Sequence, residues 1–99
     1  MGSVNAKVTI YSDEYNPFFE RIKSLLNKKK ALFDVISVEG RHDLWELVTF
    51  ASGQKTMPQV FINGQSVGGY TDIMTLDRTG VLDRLLSEAP SAEAPALPT

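Results

Sequence analysis

The sequence predicts an α/β sandwich: one mixed sheet of four strands, in the order β-α-β-α-β-β-α, with helices on both faces. Three observations predict it. A β-branched run, an amphipathic stretch of about four turns and a second β-rich run follow one another over residues 7–38, which is a βαβ unit with parallel strands. Asn63-Gly64 stands between two short apolar runs, the strongest local signal of an antiparallel hairpin. Finally, 99 residues with 42% hydrophobic content can build one small core and no more.

Each element has a local reason. Lys7-Val8-Thr9-Ile10-Tyr11 alternates polar and apolar residues, the period of a half-buried strand. Asn16-Pro17 then opens a helix: an asparagine side chain caps free N–H groups, and proline in the first turn loses no hydrogen bond. Phe19, Ile22, Leu25 and Leu26 form its apolar stripe, and Lys28 to Lys30 form a solvated, dipole-complementing end. Leu32 to Val38 is the second strand, ended by Glu39-Gly40.

A second helix runs from about Arg41 to Ser52 with Leu44, Leu47, Val48 and Ala51 inward, and Gly53 ends it. The hairpin follows, with Pro58 at the start of its first strand, where a missing N–H is tolerated and either isomer of Met57-Pro58 is open. Gly68-Gly69 turns the chain, Thr71 or Asp72 caps a short helix carrying Ile73 and Leu76, and Gly80 separates it from Val81, Leu82, Leu85 and Leu86. From Ala89 the composition falls to Ala, Pro, Ser and Glu. The domain is therefore expected over residues 1–88, with a disordered tail over 89–99.

Composition excludes several classes of function. A formal charge of −2, from 10 basic and 12 acidic residues, gives no electrostatic footprint for nucleic acid or an anionic membrane. With no cysteine, the chain can supply no disulfide, thiolate metal site or thiol nucleophile. No run reaches transmembrane length and no apolar leader segment is visible, so a cytoplasmic monomer is expected. His42 stands at a helix start with no second histidine near it, so no metal is expected there. Asp13-Glu14 reads as a solvated loop rather than an acid/base pair.

Three loops converge on the start of the first helix: Ser12 to Phe18, Thr56 to Pro58, and Gly68 to Asp72. Together with Val8-Thr9-Ile10-Tyr11, the blocks Thr56-Met57-Pro58-Gln59-Val60-Phe61-Ile62 and Val67-Gly68-Gly69-Tyr70-Thr71-Asp72 resemble the glutaredoxin family of the thioredoxin fold, over about Ala6 to Leu86. The resemblance implies glutathione-dependent thiol–disulfide exchange, a cis Pro58, and a glutathione site. In that site the Met57 backbone pairs with the cysteinyl part, and Gly69, Tyr70, Thr71 and Asp72 hold the γ-glutamyl end. Thr56 and Phe18 complete the set, Phe18 matching the aromatic of the Cys-Pro-Tyr/Phe-Cys motif.

The departure from that motif is as informative. The chain reads Asn16-Pro17-Phe18-Phe19, so Asn16 and Phe19 stand where the family has its two cysteines. No catalytic residue is expected, and the cysteine ligand of cluster-binding members is absent too. The expectation is a redox-inactive glutaredoxin-like protein with at most residual binding of glutathione or a γ-glutamyl peptide and no other cofactor. Its alternative is a non-catalytic protein-binding or regulatory module, with a partner at the Phe18, Met57 and Tyr70 surface. Lys55 and Arg41 read as plain surface charges, the alternative being a contact with the glycyl carboxylate. A buried Phe19 would add about 1.5 to 3 kcal/mol to stability.

Overall fold

The computed structural model describes residues 5–90, so the expected tail over 89–99 falls, beyond residue 90, outside the described residues. The elements are β1 (Val8–Ser12), α1 (Pro17–Lys28), β2 (Phe33–Ser37), α2 (His42–Ser52), β3 (Gln59–Ile62), β4 (Gln65–Gly68), α3 (Tyr70–Thr79) and α4 (Val81–Ser87). The closing helical segment is thus two helices. Gly80, at φ 83°, adopts the left-handed conformation that separates them.

The four strands lie in the order β2-β1-β3-β4. β1 and β2 are parallel, with Ile10 opposite Val35, whereas β1–β3 and β3–β4 are antiparallel. The hairpin turns as its sequence requires: Asn63 at φ 54° and Gly64 at φ 81° both take positive φ. The Asn63 side chain also ties the turn to β1, its Oδ1 accepting from the Lys7 N–H at 2.8 Å.

Alternation along the strands divides the core in two. Val8, Ile10, Val60 and Ile62 pack with Ile22 and Leu26 of α1, Ile73 of α3, and Leu82 and Leu86 of α4. Tyr11 and Phe61 face the other way, meet edge to face at 5.4 Å between ring centroids, and pack with Leu44 and Val48 of α2. Side chains such as Ile22 and Leu82 are fully buried, each contributing about 1.5 to 3 kcal/mol, so α1 and α4 are held by packing rather than by their own propensity.

Four expectations need correction. β2 is shorter than Leu32 to Val38, because Leu32 precedes the β1 pairing and is exposed. On α2, Ala51 is exposed while Leu44 and Val48 carry the burial. Neither Thr71 nor Asp72 is the cap of α3. Gly69 takes that position and Asp72 acts from inside the first turn, its carboxylate accepting from the Gly69 N–H at 3.1 Å.

The lysine run is the fourth. Lys29 is not simply solvated: its ammonium lies 2.8 Å from Asp77 and 2.7 Å from Asp83, joining the C-terminal end of α1 to α3 and α4. The Asp77 and then the Asp83 hydrogen bond raise its pKa above the ordinary lysine value.

Candidate functional site

β1 ends at Ser12, and the loop to α1 brings Asn16 to the helix start in extended conformation, φ −93° and ψ 113°. Its carboxamide uses every hydrogen-bonding position it has. The oxygen accepts from the N–H groups of Phe18 at 2.9 Å and Phe19 at 3.3 Å. The nitrogen donates to Asp13 Oδ1 at 2.9 Å and to the Met57 carbonyl at 3.0 Å. Two donors and two acceptor positions are the whole inventory of an asparagine side chain. A reversed amide would set oxygen against oxygen at Asp13 and Met57, so the network fixes the orientation.

Met57 and Pro58 enter from the loop before β3, and the peptide bond between them is cis. The Met57 side chain packs into the second core cluster and only 8% of the residue is exposed, so what this residue offers at the surface is backbone. Under the loop runs a chain of amides. Gln59 Nε2 donates to Gln54 Oε1 and to the Thr56 carbonyl, both at 2.9 Å, and Gln54 Nε2 donates to Asp72 Oδ2 at 3.1 Å. The loop is thereby joined to the start of α3.

The two glycines before α3 are there for space. Gly68 has φ 101°, and a Cβ on it would collide with the Asp72 carboxyl; a Cβ on Gly69 would lie 3.1 Å from the Pro58 carbonyl. Side chains at either place would push Asp72 or the Pro58 loop away.

A groove of about 290 Å³ results, lined by Phe18, Gln54, Thr56, Met57, Pro58, Gly69, Tyr70, Thr71 and Asp72. All eight residues singled out from the sequence as a binding set lie along it. The Phe18 ring, 44% of the residue being exposed, packs 4.9 Å from that of Tyr70. The Arg21 guanidinium sits 5.7 Å from the first ring and 5.8 Å from the second, within cation–π range. This aromatic wall is half-exposed and braced by a cation.

Phe19 lies apart from the groove. It is partly buried against the first core cluster, with Lys23 Nζ 4.5 Å from its ring centroid. Its contribution is therefore smaller than full burial would supply. Asp13 serves as the acceptor for Asn16, and Glu14 is tied by its backbone N–H to Glu39 Oε1 at 3.2 Å. His42 faces Glu46 at 3.1 Å in an exposed pair, and no three His, Cys, Asp or Glu side chains group around a cation position among the described residues.

Sequence reasoning missed Gln54, Gln59, Asp13 and Arg21. One signal was available: Gln59 opens an otherwise apolar strand, and a buried amide there needs partners nearby in space. Lys55 and Arg41 are both exposed, as plain surface charges are, and neither lines the groove.

Chemically, the site presents an aromatic wall, a backbone carbonyl beside a cis-proline, the N–H groups and Asp72 carboxylate of a helix start, and a carboxamide where α1 begins. The glutaredoxin family model matches residues 8–67. Glutaredoxin-C6 of Oryza sativa subsp. japonica is 41% identical over 88 residues, covering 86% of this chain and 79% of the relative. Glutaredoxin 3 of Escherichia coli (strain K12) is 40% identical over 81 residues, covering 82% of this chain and 98% of the relative. The crystal structure of a buckwheat glutaredoxin–glutathione complex superposes with a TM-score of 0.76 at 28% identity, covering 90% of this chain and 81% of that one. The chain belongs to the glutaredoxin family and has its thioredoxin-like fold.

Proposed function

We propose that this protein is a glutaredoxin-family member that performs no thiol–disulfide exchange and keeps a groove for glutathione or a γ-glutamyl peptide. One observation carries the proposal: the side chain at the start of α1, beside Met57-Pro58, is the carboxamide of Asn16. Exchange begins when a thiolate attacks a disulfide sulfur, and a helix N-terminus favours that thiolate over the thiol. The chain has no sulfur that could be the nucleophile or the partner of a mixed disulfide. An amide nitrogen, its lone pair delocalised into the carbonyl, supplies neither.

The binding half of the proposal rests on the groove. An extended peptide laid across it would pair its central residue with the Met57 backbone, as a strand adds to a sheet edge. Its γ-glutamyl end would reach α3, where N–H groups receive a carboxylate and Asp72 receives an ammonium. Phe18 and Tyr70 would cover its apolar atoms. The buckwheat relative was solved with glutathione, which supports assigning the same ligand class to this chain.

The protein acts, in this reading, as a cytoplasmic monomer; no helix among the described residues is long and apolar enough to cross a membrane. The alternative of a protein-binding module keeps Phe18 and Tyr70 as its contact, with Met57 contributing backbone only.

The test is a glutathione-coupled reductase assay on a small disulfide. The protein is expected to show no rate above the uncatalysed reaction, and N16C to show a measurable one. A rate in the unaltered protein would end the inactive reading. In parallel, glutathione is titrated while the amide resonances of Gly69 to Asp72 are followed. Shifts confined to those residues and Phe18 support the groove, and silence up to millimolar ligand removes it.

A further inference from the structure

We propose that Asn16 is an internal lock on the groove: its carboxamide holds the Met57 carbonyl, the acceptor an extended ligand would pair with, and so lowers the affinity of the site. The inference rests on reading the groove as a glutathione site. Asn16 Nδ2 donates to that carbonyl at 3.0 Å, within the range of a well-formed N–H···O bond. The amide is already in place before any ligand arrives.

The lock is held from three sides. The two N–H groups of the first turn of α1 fix the amide oxygen, and Asp13 fixes the second hydrogen of the nitrogen. Turning the side chain away from Met57 therefore disturbs four hydrogen bonds, one of them to a carboxylate, and charge-assisted bonds are the stronger kind. A ligand N–H arriving at Met57 meets a carbonyl with one of its two acceptor positions already filled, and must share the oxygen or displace the amide. Its net gain there is smaller than at a carbonyl with no amide on it, whereas the Phe18, Tyr70 and Asp72 contacts keep their full value. The site consequently grips the γ-glutamyl end in preference to the middle of the ligand.

This relation is specific to the side chain at residue 16. A residue that caps α1 without reaching Met57 would keep the helix and release the carbonyl. Serine does so with a short hydroxyl, and glycine with no side chain at little cost to an N-cap. Both variants free the Met57 carbonyl and Asp13, and they differ in whether a side chain caps α1.

The experiment titrates S-methylglutathione, which cannot form a disulfide, into the unaltered protein, N16S and N16G, following the amide resonances of Gly69 to Asp72 and the Met57 carbonyl carbon. Both variants are expected to bind about tenfold more tightly, the effect of one net hydrogen bond. The Met57 carbon should shift already in the free variants. Equal affinity in all three proteins overturns the lock and leaves the groove reading standing. Weaker binding by both variants shows that the amide helps hold the ligand, and also overturns it. No binding by any of the three removes the groove reading and the lock together.

Discussion

The two ends of α1 are both tied to the rest of the molecule, by opposite kinds of chemistry. At the N-terminal end a neutral carboxamide, Asn16, joins the helix to the Asp13 loop and the Met57 carbonyl. At the C-terminal end a charged ammonium, Lys29, joins it to Asp77 and Asp83 on α3 and α4. The family places its reactive thiol at the first end, and there this chain has a group that does not ionise. The first tie pairs that neutral group with a carboxylate and a carbonyl, and the second pairs opposite charges. Between neutral and alkaline pH the tie at the groove should therefore change little with pH or salt, and the tie at the far end should change with both.

The largest effect tests the groove's frame. Gly68→Ala puts a Cβ into the Asp72 carboxyl at a left-handed position, and should cost about 2 to 3 kcal/mol in urea unfolding. The amide resonances of Gly69 to Asp72 should shift with it. A cost no larger than that of an exposed surface substitution would mean that α3 can start without the close approach.

Asn16→Ala comes next, at about 1 to 2 kcal/mol, since it removes the cap and leaves Asp13 and the Met57 carbonyl without their partner. The comparison sharpens if this loss is the same in 0.05 M and 1 M salt and across the neutral and alkaline range. A loss that fades with salt would instead mean that the amide acts through the Asp13 charge.

Lys29→Met should cost about 1 kcal/mol at low salt and less at high salt, because Asp77 and Asp83 are partly solvated. It should also change the pH profile. Lys29 is raised above its ordinary value of 10.5 by Asp77 and Asp83, and Tyr11 above 10.0 by burial. Both folded values lie above the unfolded ones, so these contributions are complete below the ordinary values and are lost as pH rises through the raised ones. The unaltered protein should accordingly lose stability at alkaline pH, K29M should lose less, and N16A should run parallel to the parent. Thermal unfolding at a series of pH values separates the three curves.

The smallest effect belongs to His42→Ala, since the pair with Glu46 is exposed on α2 and should be worth no more than about 0.5 kcal/mol. A larger loss would point to a role that its surroundings do not suggest.

Much of this was legible in the chain because it is local. The Asn16-Pro17 helix start, the Asn63-Gly64 turn and the Gly80 break each follow from the conformational preferences of one or two residues, and each stands where expected. The alternation of β1 likewise decides which side chains meet α1 and which meet α2. The errors came where a residue's setting depends on distant chain. Leu32 looks like strand but lies beyond the pairing with β1, and the lysine run looks solvated until α3 and α4 bring Asp77 and Asp83 to Lys29.

The candidate site divides the same way. Sequence by itself determined the family, by three blocks in order, and the absence of any thiol, by a count of zero cysteines. It also determined that Asn16 would cap α1, because capping involves only the next three residues. What the Asn16 nitrogen does was decided by tertiary structure alone. Met57 is 41 residues away, and only the folding of β3 beside β1 brings its carbonyl within 3.0 Å. Hydrogen bonds of this kind have no sequence period, since they are set by where the sheet places two loops.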